Sequence, residues 1–326
     1  MNDLKHKILM QVKNDLEEIE TALQQNLNPH FDLVSQIAGH ILFSGGKRLR
    51  PLLMVLSARI CGYEGDYDKT FSTIFEYLHA ATLLHDDLVD EATVRRGKPV
   101  ANSIWGNAAA VLVGDFLLAR SLAIAAETKR PDVIKVVSKI TENMSQGEIH
   151  QLMRKGNLDL SEEEYMEIIK RKTAVLFQGT CHAGALITDG TPKQKAALSD
   201  YGFNLGIAFQ MVDDLLDYTL DSVTIGKEVG ADLKEGKLTL PVIYSLKSAD
   251  EKDRNRMENI IKNKNFSVND FETLIRMIDK YGGQLYTQNL AMAYVQNAKK
   301  ALGVFQHSKT KDVLLMIADY TLARNF

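Results

Sequence analysis

Two Asp-Asp-x-x-Asp clusters constrain this chain more than anything else in it: Asp86-Asp87-Leu88-Val89-Asp90 and Asp213-Asp214-Leu215-Leu216-Asp217. Apolar, helix-forming residues lead into each, Ala80 to Leu84 before the first and Leu205 to Val212 before the second. Carboxylates are costly to bury in such surroundings without a partner. Because a helix turns once every 3.6 residues or so, Asp86 and Asp90 stack one turn apart and Asp87 points to the side. Asp213, Asp217 and Asp214 repeat that geometry. Two such sets facing across a cavity make a site for several divalent cations. With oxygen-only ligands the natural ion is Mg²⁺, which keeps some waters and takes its remaining ligands from phosphates. The pattern points to a diphosphate held through metal between two helices.

The rest of the 326-residue chain supports helices throughout. There are six prolines, β-branched alternation is scarce, and apolar residues recur at spacings of three and four. Helices are predicted from Leu33 to the Gly45-Gly46 pair, from near Pro51 to Cys61, and over Phe71–Val89, Asn107–Ala126 and Asp132–Arg154. Ser161 and Glu164 form a capping-box pattern for a helix running through Ile187, and Thr191-Pro192 opens one that reaches Tyr218. Asn107–Ala126 is apolar nearly all round apart from Asp115 and Arg120, so most of it should be buried. No linker or composition break divides the chain, which reads as one all-α domain, 1–326, of ten or more helices around a deep central cavity. A net charge of −3 argues against non-specific nucleic-acid binding, and no nucleic-acid partner is expected. Two cysteines without a spacing motif suggest a reducing compartment, and the first twenty residues lack the apolar core of a signal peptide. No uninterrupted apolar run reaches membrane-span length, so the expected location is the cytoplasm.

Basic elements accompany the acids. Gly45-Gly46-Lys47-Arg48-Leu49-Arg50-Pro51 puts three bases after two glycines and ahead of a helix start, where anions bind well. Lys47 and Arg50 can grip one diphosphate; Arg48 is expected to face solvent or make local ion pairs, as is Lys234. Arg95-Arg96-Gly97 follows the first acid cluster, and arginine suits bidentate phosphate contacts. Lys172-Thr173 interrupts an apolar helix. A loop from Gly226-Lys227 to Gly236-Lys237 follows the second cluster. His79 and Gln210 share the stripes of the acids and can hydrogen-bond a diphosphate from inside the cavity.

In this order the motifs resemble the trans-isoprenyl diphosphate synthases, the polyprenyl synthetases. DDxxD followed by RRG matches Asp86, Asp87, Asp90, Arg95, Arg96 and Gly97. Q-x-x-DDxxD matches Gln210, Asp213, Asp214 and Asp217. GGKRxRP and the GKxxGxDLxxGKxTLP loop, Gly226 to Pro241, are also intact. The resemblance implies that Asp86, Asp90 and Asp213 hold Mg²⁺, three ions per site with Mn²⁺ able to substitute, with Asp87, Asp214 and Asp217 in support. It implies that Arg95, Lys172, Lys227 and Lys237 contact an allylic diphosphate, assisted by Thr173 and Gln210. Lys47, Arg50, His79 and Arg96 would bind isopentenyl diphosphate. The implied reaction ionises the allylic diphosphate, farnesyl or geranyl, and adds isopentenyl units head to tail. His85 is read as structural.

Product length turns on residues one turn before Asp86. In the family, bulky aromatics there close the product tunnel early, whereas Ala81 and Thr82 are small. Leu78 and Tyr77 come next, and Phe116, Ile134, Val137 and Met144 are candidates for the floor. The segment Glu76 to Asp90 looks most like octaprenyl-type synthases, so a long all-trans product is expected, octaprenyl first. A shorter geranylgeranyl-type synthase and a non-catalytic prenyl-diphosphate-binding subunit are the alternatives. A terpene cyclase would have no use for the isopentenyl site. A homodimer is expected, with peripheral membrane contact at product release; quinone biosynthesis is one destination for the product.

Overall fold

The structure, a computed structural model, describes residues 2–218, 230–263 and 265–323. Lys227 lies outside the described residues, as does Arg324. The chain is almost wholly helical: α1 (Asn2–Leu27), α2 (Asp32–Leu42), α3 (Leu49–Ile60) and α4 (Asp68–Val89), then a hairpin of β1 (Val94–Arg95) and β2 (Lys98–Pro99). After it come α5 (Ala101–Trp105), α6 (Asn107–Glu127), α7 (Pro131–Arg154), α8 (Glu162–Ile169), α9 (Val175–Ile187) and α10 (Pro192–Leu216). The C-terminal part holds α11 (Ala231–Lys234), α12 (Leu240–Ser248), α13 (Glu251–Lys262), α14 (Val268–Lys280), α15 (Gly283–Ala301) and α16 (Lys309–Ala323).

Local chemistry sets several of these starts. Ser161 and Glu164 cap α8 reciprocally, at 3.0 and 3.2 Å, and Thr191 with Gln194 does the same for α10. Pro131 and Pro192 open α7 and α10, where a missing N–H costs nothing. Two apolar clusters result. One is built mainly from α1 to α7, α9 and α16, the other from α8 and α11 to α15. Helix α10 contributes to both, through Tyr201 and Leu205 to the first and Ile207 and Met211 to the second.

Four features differ from the sequence reading. The helix predicted from Ser161 through Ile187 is broken by a π-turn over Lys170–Ala174. A two-stranded hairpin carries Arg95. Helix α6 is not mostly buried: it packs on α4 and α7 with one face, while Val111 and Leu112 stand 40% and 66% exposed. Its length and hydropathy would suffice to cross a membrane, but Asp115 holds His85 and Arg120 donates to the Asn26 carbonyl on the α1 side. Arg48, expected to face solvent or make local ion pairs, is 5% exposed, and its pairs, Glu20 and Glu76, are each 28 residues away.

Candidate active site

Both acid clusters sit at helix C-termini. Helix α4 ends at Val89 with Asp90 as its cap, and α10 ends at Leu216 with Asp217 as its cap. Asp90 N–H still donates to the Asp86 carbonyl at 2.8 Å, so the one-turn stacking persists. The C-terminal end of a helix dipole is negative, and a carboxylate there costs roughly 0.3–1 kcal/mol. Neither last turn carries a base to offset it. Burial pushes the Asp86 carboxyl up to about 6, against the opposing pull of Lys172. Burial likewise pushes Asp214 up to about 7, although hydrogen bonds from Tyr165 and Gln210 work the other way. Desolvation and the neighbouring Asp217 and Asp214 raise half-buried Asp232 well above the carboxylate range. These helix ends are electrostatically unfavourable as they stand and favour cations.

The bases near them are engaged with acids. Arg95 Nε donates to Asp87 Oδ1 at 2.7 Å. Lys237 Nζ donates to Asp90 Oδ2 at 2.7 Å and pairs with Glu235 at 2.6 Å. Lys172 pairs with Glu148 and donates to Gln151 Oε1 at 2.7 Å. Behind them a polar relay fixes the second cluster: Thr173 Oγ1 donates to Gln210 Oε1, Gln210 Nε2 to Asp214 Oδ1, and Tyr165 Oη to Asp214 Oδ2, at 2.7, 2.7 and 2.5 Å. A cleft of about 660 Å³, open mouth included, has Lys172, Thr173, Gln210, Asp214, Asp232 and Lys237 in its wall. Asp90 joins that wall through Lys237, and Asp86 lies within the fields of Lys172 and Lys237.

The π-turn is gripped from both sides. A Cβ on Gly147 of α7 would come within 2.8 Å of the Lys172 backbone nitrogen, and one on Gly206 of α10 within 2.7 Å of Ala174 Cα. Two glycines therefore admit the widened turn that presents Lys172 and Thr173. π-Turns are often found at functional sites.

A second set of bases lies beside the first cluster. Arg50 is half-buried, with its guanidinium 4.9 Å from the Phe177 ring centre and its Nε buried without a hydrogen bond. Burial lowers it to about 10, with Glu76 and Asp213 pulling it back up. His79 is held well below its usual value, by burial first and then by Arg50, Arg96, Arg95 and Arg48, so the imidazole is neutral. A neutral imidazole still offers one N–H to an anion. Arg96 donates to the Gly45 carbonyl, which ties the hairpin to the glycine pair. Lys47 Nζ stands 5.5 Å from the Tyr320 ring centre on α16. Arg50, His79, Arg95 and Arg96 thus lie within one another's fields, while Lys172 and Lys237 line the cleft. Ala81 is buried on α4, and Thr82 Oγ1 donates to the His79 carbonyl at 2.8 Å. His85 turns to the Val111 carbonyl and Asp115, in keeping with a structural role.

The donor set fits a hard divalent ion. Asp87 Oδ2 and Asp90 Oδ1 are buried without hydrogen-bond partners. Among the described residues, no three His, Cys, Asp or Glu side chains converge closely enough to hold an ion alone. The remaining ligands would have to come from water and substrate phosphate, the usual habit of Mg²⁺.

Sequence reasoning missed Glu148, Gln151 and Tyr165. On an amphipathic helix, polar residues such as Glu148 and Gln151 read as a solvated face. Only the π-turn brings Lys172 to them.

Residues 31–278 match the polyprenyl synthetase family. An octaprenyl diphosphate synthase of Haemophilus influenzae is 36% identical over 96% of this chain and 94% of its own length. Component 2 of the heptaprenyl diphosphate synthase of Bacillus subtilis is 34% identical over 100% of this chain and 93% of its own. A polyprenyl synthase from Caulobacter crescentus, crystallised with calcium and isoprenyl diphosphate, superposes with a TM-score of 0.92 at 36% identity over 98% of both chains. With acid clusters, flanking bases and fold in agreement, the chain belongs to the polyprenyl synthetase family.

Proposed function

We propose that this protein is a trans-prenyltransferase that adds isopentenyl diphosphate units to an allylic diphosphate and builds a long product, octaprenyl in length. One observation carries the reading: two acid-rich helix ends adjoin two separate cationic sets, one for each of two diphosphates. The allylic diphosphate would lie in the Lys172–Lys237 cleft, with Arg95 at its edge, and isopentenyl diphosphate against Lys47, Arg50, His79 and Arg96. Mg²⁺, when bound by Asp86, Asp90 and Asp213, would draw negative charge from the leaving diphosphate.

The chain's own groups do the rest. Lys172, Lys237 and Arg95 stabilise the charge that develops on the departing diphosphate. The π-turn carbonyls near Lys172 and Thr173, and the Gln210 amide oxygen oriented by Thr173, face the allylic carbons as those become positive. The fixed isopentenyl site holds the attacking double bond alongside. Neutral His79 donates a hydrogen bond and takes no proton from the substrate. The released diphosphate is the base for the final proton loss.

Ala81 and Thr82 support a long product, because neither is large enough to close a tunnel running back along α4. The apolar stripe left open on α6, Val111 and Leu112, supports a homodimer. A long polyprenyl product would leave at a membrane surface, and a quinone side chain is one use for it.

The test supplies the purified chain with Mg²⁺, farnesyl diphosphate and labelled isopentenyl diphosphate, and sizes the hydrolysed products. Products near octaprenyl bear the reading out. Geranylgeranyl-sized products would refute the long-chain assignment, and absence of product with substrate bound would refute self-sufficiency.

A further inference from the structure

Three bases, Lys47, Arg48 and Arg50, cluster at the start of α3, but only two of them fit the isopentenyl site. Arg48, between Lys47 and Arg50, points away from it and into the protein. Its backbone is left-handed, with φ 47° and ψ 35°, a conformation that non-glycine residues rarely adopt. Its guanidinium, in turn, makes four hydrogen bonds. Nε donates to Glu20 Oε1 at 2.6 Å, Nη1 to Glu76 Oε1 at 2.9 Å, and Nη2 to Glu20 Oε2 at 3.2 Å and to the Leu42 carbonyl at 2.7 Å. One side chain thereby joins α1, α4 and the end of α2 to the turn that aims Lys47 and Arg50.

Glu76 does more than receive Arg48. It is buried on α4, one turn before His79, and its charge also acts on Arg50 and Arg96. Gly46 is wedged beneath two of these guanidinia, since a Cβ there would lie 3.2 Å from Arg48 Nη1 and 3.5 Å from Arg96 Nη1. Glu76 thus acts on all three arginines, and two of them, Arg48 and Arg96, pack around Gly46.

The geometry points to Arg48 and Glu76 as a buried pair of positioning residues for isopentenyl diphosphate. Neither touches substrate. Arg48 holds the strained turn between Lys47 and Arg50, and Glu76 lets Arg48, Arg50 and Arg96 stay close together before the diphosphate arrives. The inference rests on the isopentenyl site proposed above.

Steady-state kinetics with each substrate varied would test it on Arg48→Lys, which keeps the charge and loses the fork, and on Glu76→Gln, which keeps the shape and loses the charge. Arg50→Met serves as the control for the site itself, and circular dichroism checks the fold. Arg48→Lys and Glu76→Gln should each raise KM for isopentenyl diphosphate by about tenfold or more, because small misplacements of binding groups are costly. KM for the allylic diphosphate and kcat at saturation should change little. If Arg50→Met raises the isopentenyl KM and the folded Arg48→Lys protein does not, the positioning role is overturned and the site stands. If Arg50→Met leaves it unchanged, the site assignment itself fails. Equal rises in both KM values would reduce the pair to a general structural role. Should Glu76→Gln fail to fold, Arg48→Lys, with a charge still opposite both carboxylates, decides the matter.

Discussion

In the proposed mechanism Asp86 and Asp213 hold the metal. Replacing either with alanine should lower turnover by at least about 100-fold through loss of charge stabilisation, and kcat at saturating Mg²⁺ measures it. The raised carboxyls of Asp86, about 6, and Asp214, about 7, add a pH dependence with a definite sign. The folded state holds these protons more tightly than the unfolded chain does. Metal-free protein should therefore lose stability as pH rises from about 4 through about 7. The same deprotonation creates the ion site, so protection by Mg²⁺ with pyrophosphate should grow over that interval. Thermal unfolding at pH 5.5 and 7.5, with and without the ligands, checks both; equal protection at the two pH values would contradict the assignment. At this scale the two acid clusters and the bases beside them were legible, because charged residues stand out against apolar helices. Arg48 and Glu76 were not, since neither residue's neighbours in sequence announce a partner 28 positions away.

Among the elements, the π-turn between α8 and α9 matters most for the site. Gly206→Ala would press a methyl group against Ala174 Cα and Phe177 Cβ, at 2.7 and 3.1 Å. Overpacking of this kind costs about 1–3 kcal/mol. The expected result is a lower unfolding temperature together with a raised KM for the allylic diphosphate, measured by calorimetry and kinetics; a stability loss with unchanged KM would separate the turn from substrate binding. The capping box at Ser161 and the Thr191-Pro192 start of α10 were readable because they are local. The π-turn was not, because it depends on how closely α7 and α10 approach through Gly147 and Gly206. The burial of α6 was overestimated for a related reason. An apolar helix needs a cover, and composition does not say whether the cover belongs to the same chain.

Across the whole molecule, product length is the property that joins distant parts. Tyr77, fixed by its hydroxyl to the Leu23 carbonyl of α1, packs α4 against α1. Ala81→Phe, one turn nearer the acids, should shift products towards shorter prenyl chains at nearly unchanged initial rate, as read by chromatography of the hydrolysed products. An unaltered distribution would place the tunnel elsewhere. A last consequence concerns Arg95, Lys172 and Lys237, each of which is held by a carboxylate: Asp87, Glu148 and Asp90 in turn. An anion arriving without a divalent cation finds these bases already neutralised and must compete with acids that are part of the protein. An ion at the first cluster would draw Asp87 and Asp90 towards itself and release Arg95 and Lys237 for the phosphate. The site should therefore discriminate against the free phosphates and nucleotides around it, without a pocket shaped to exclude them. Pyrophosphate should protect the protein weakly on its own and strongly once Mg²⁺ is added, a contrast that titration calorimetry in the two orders of addition would reveal.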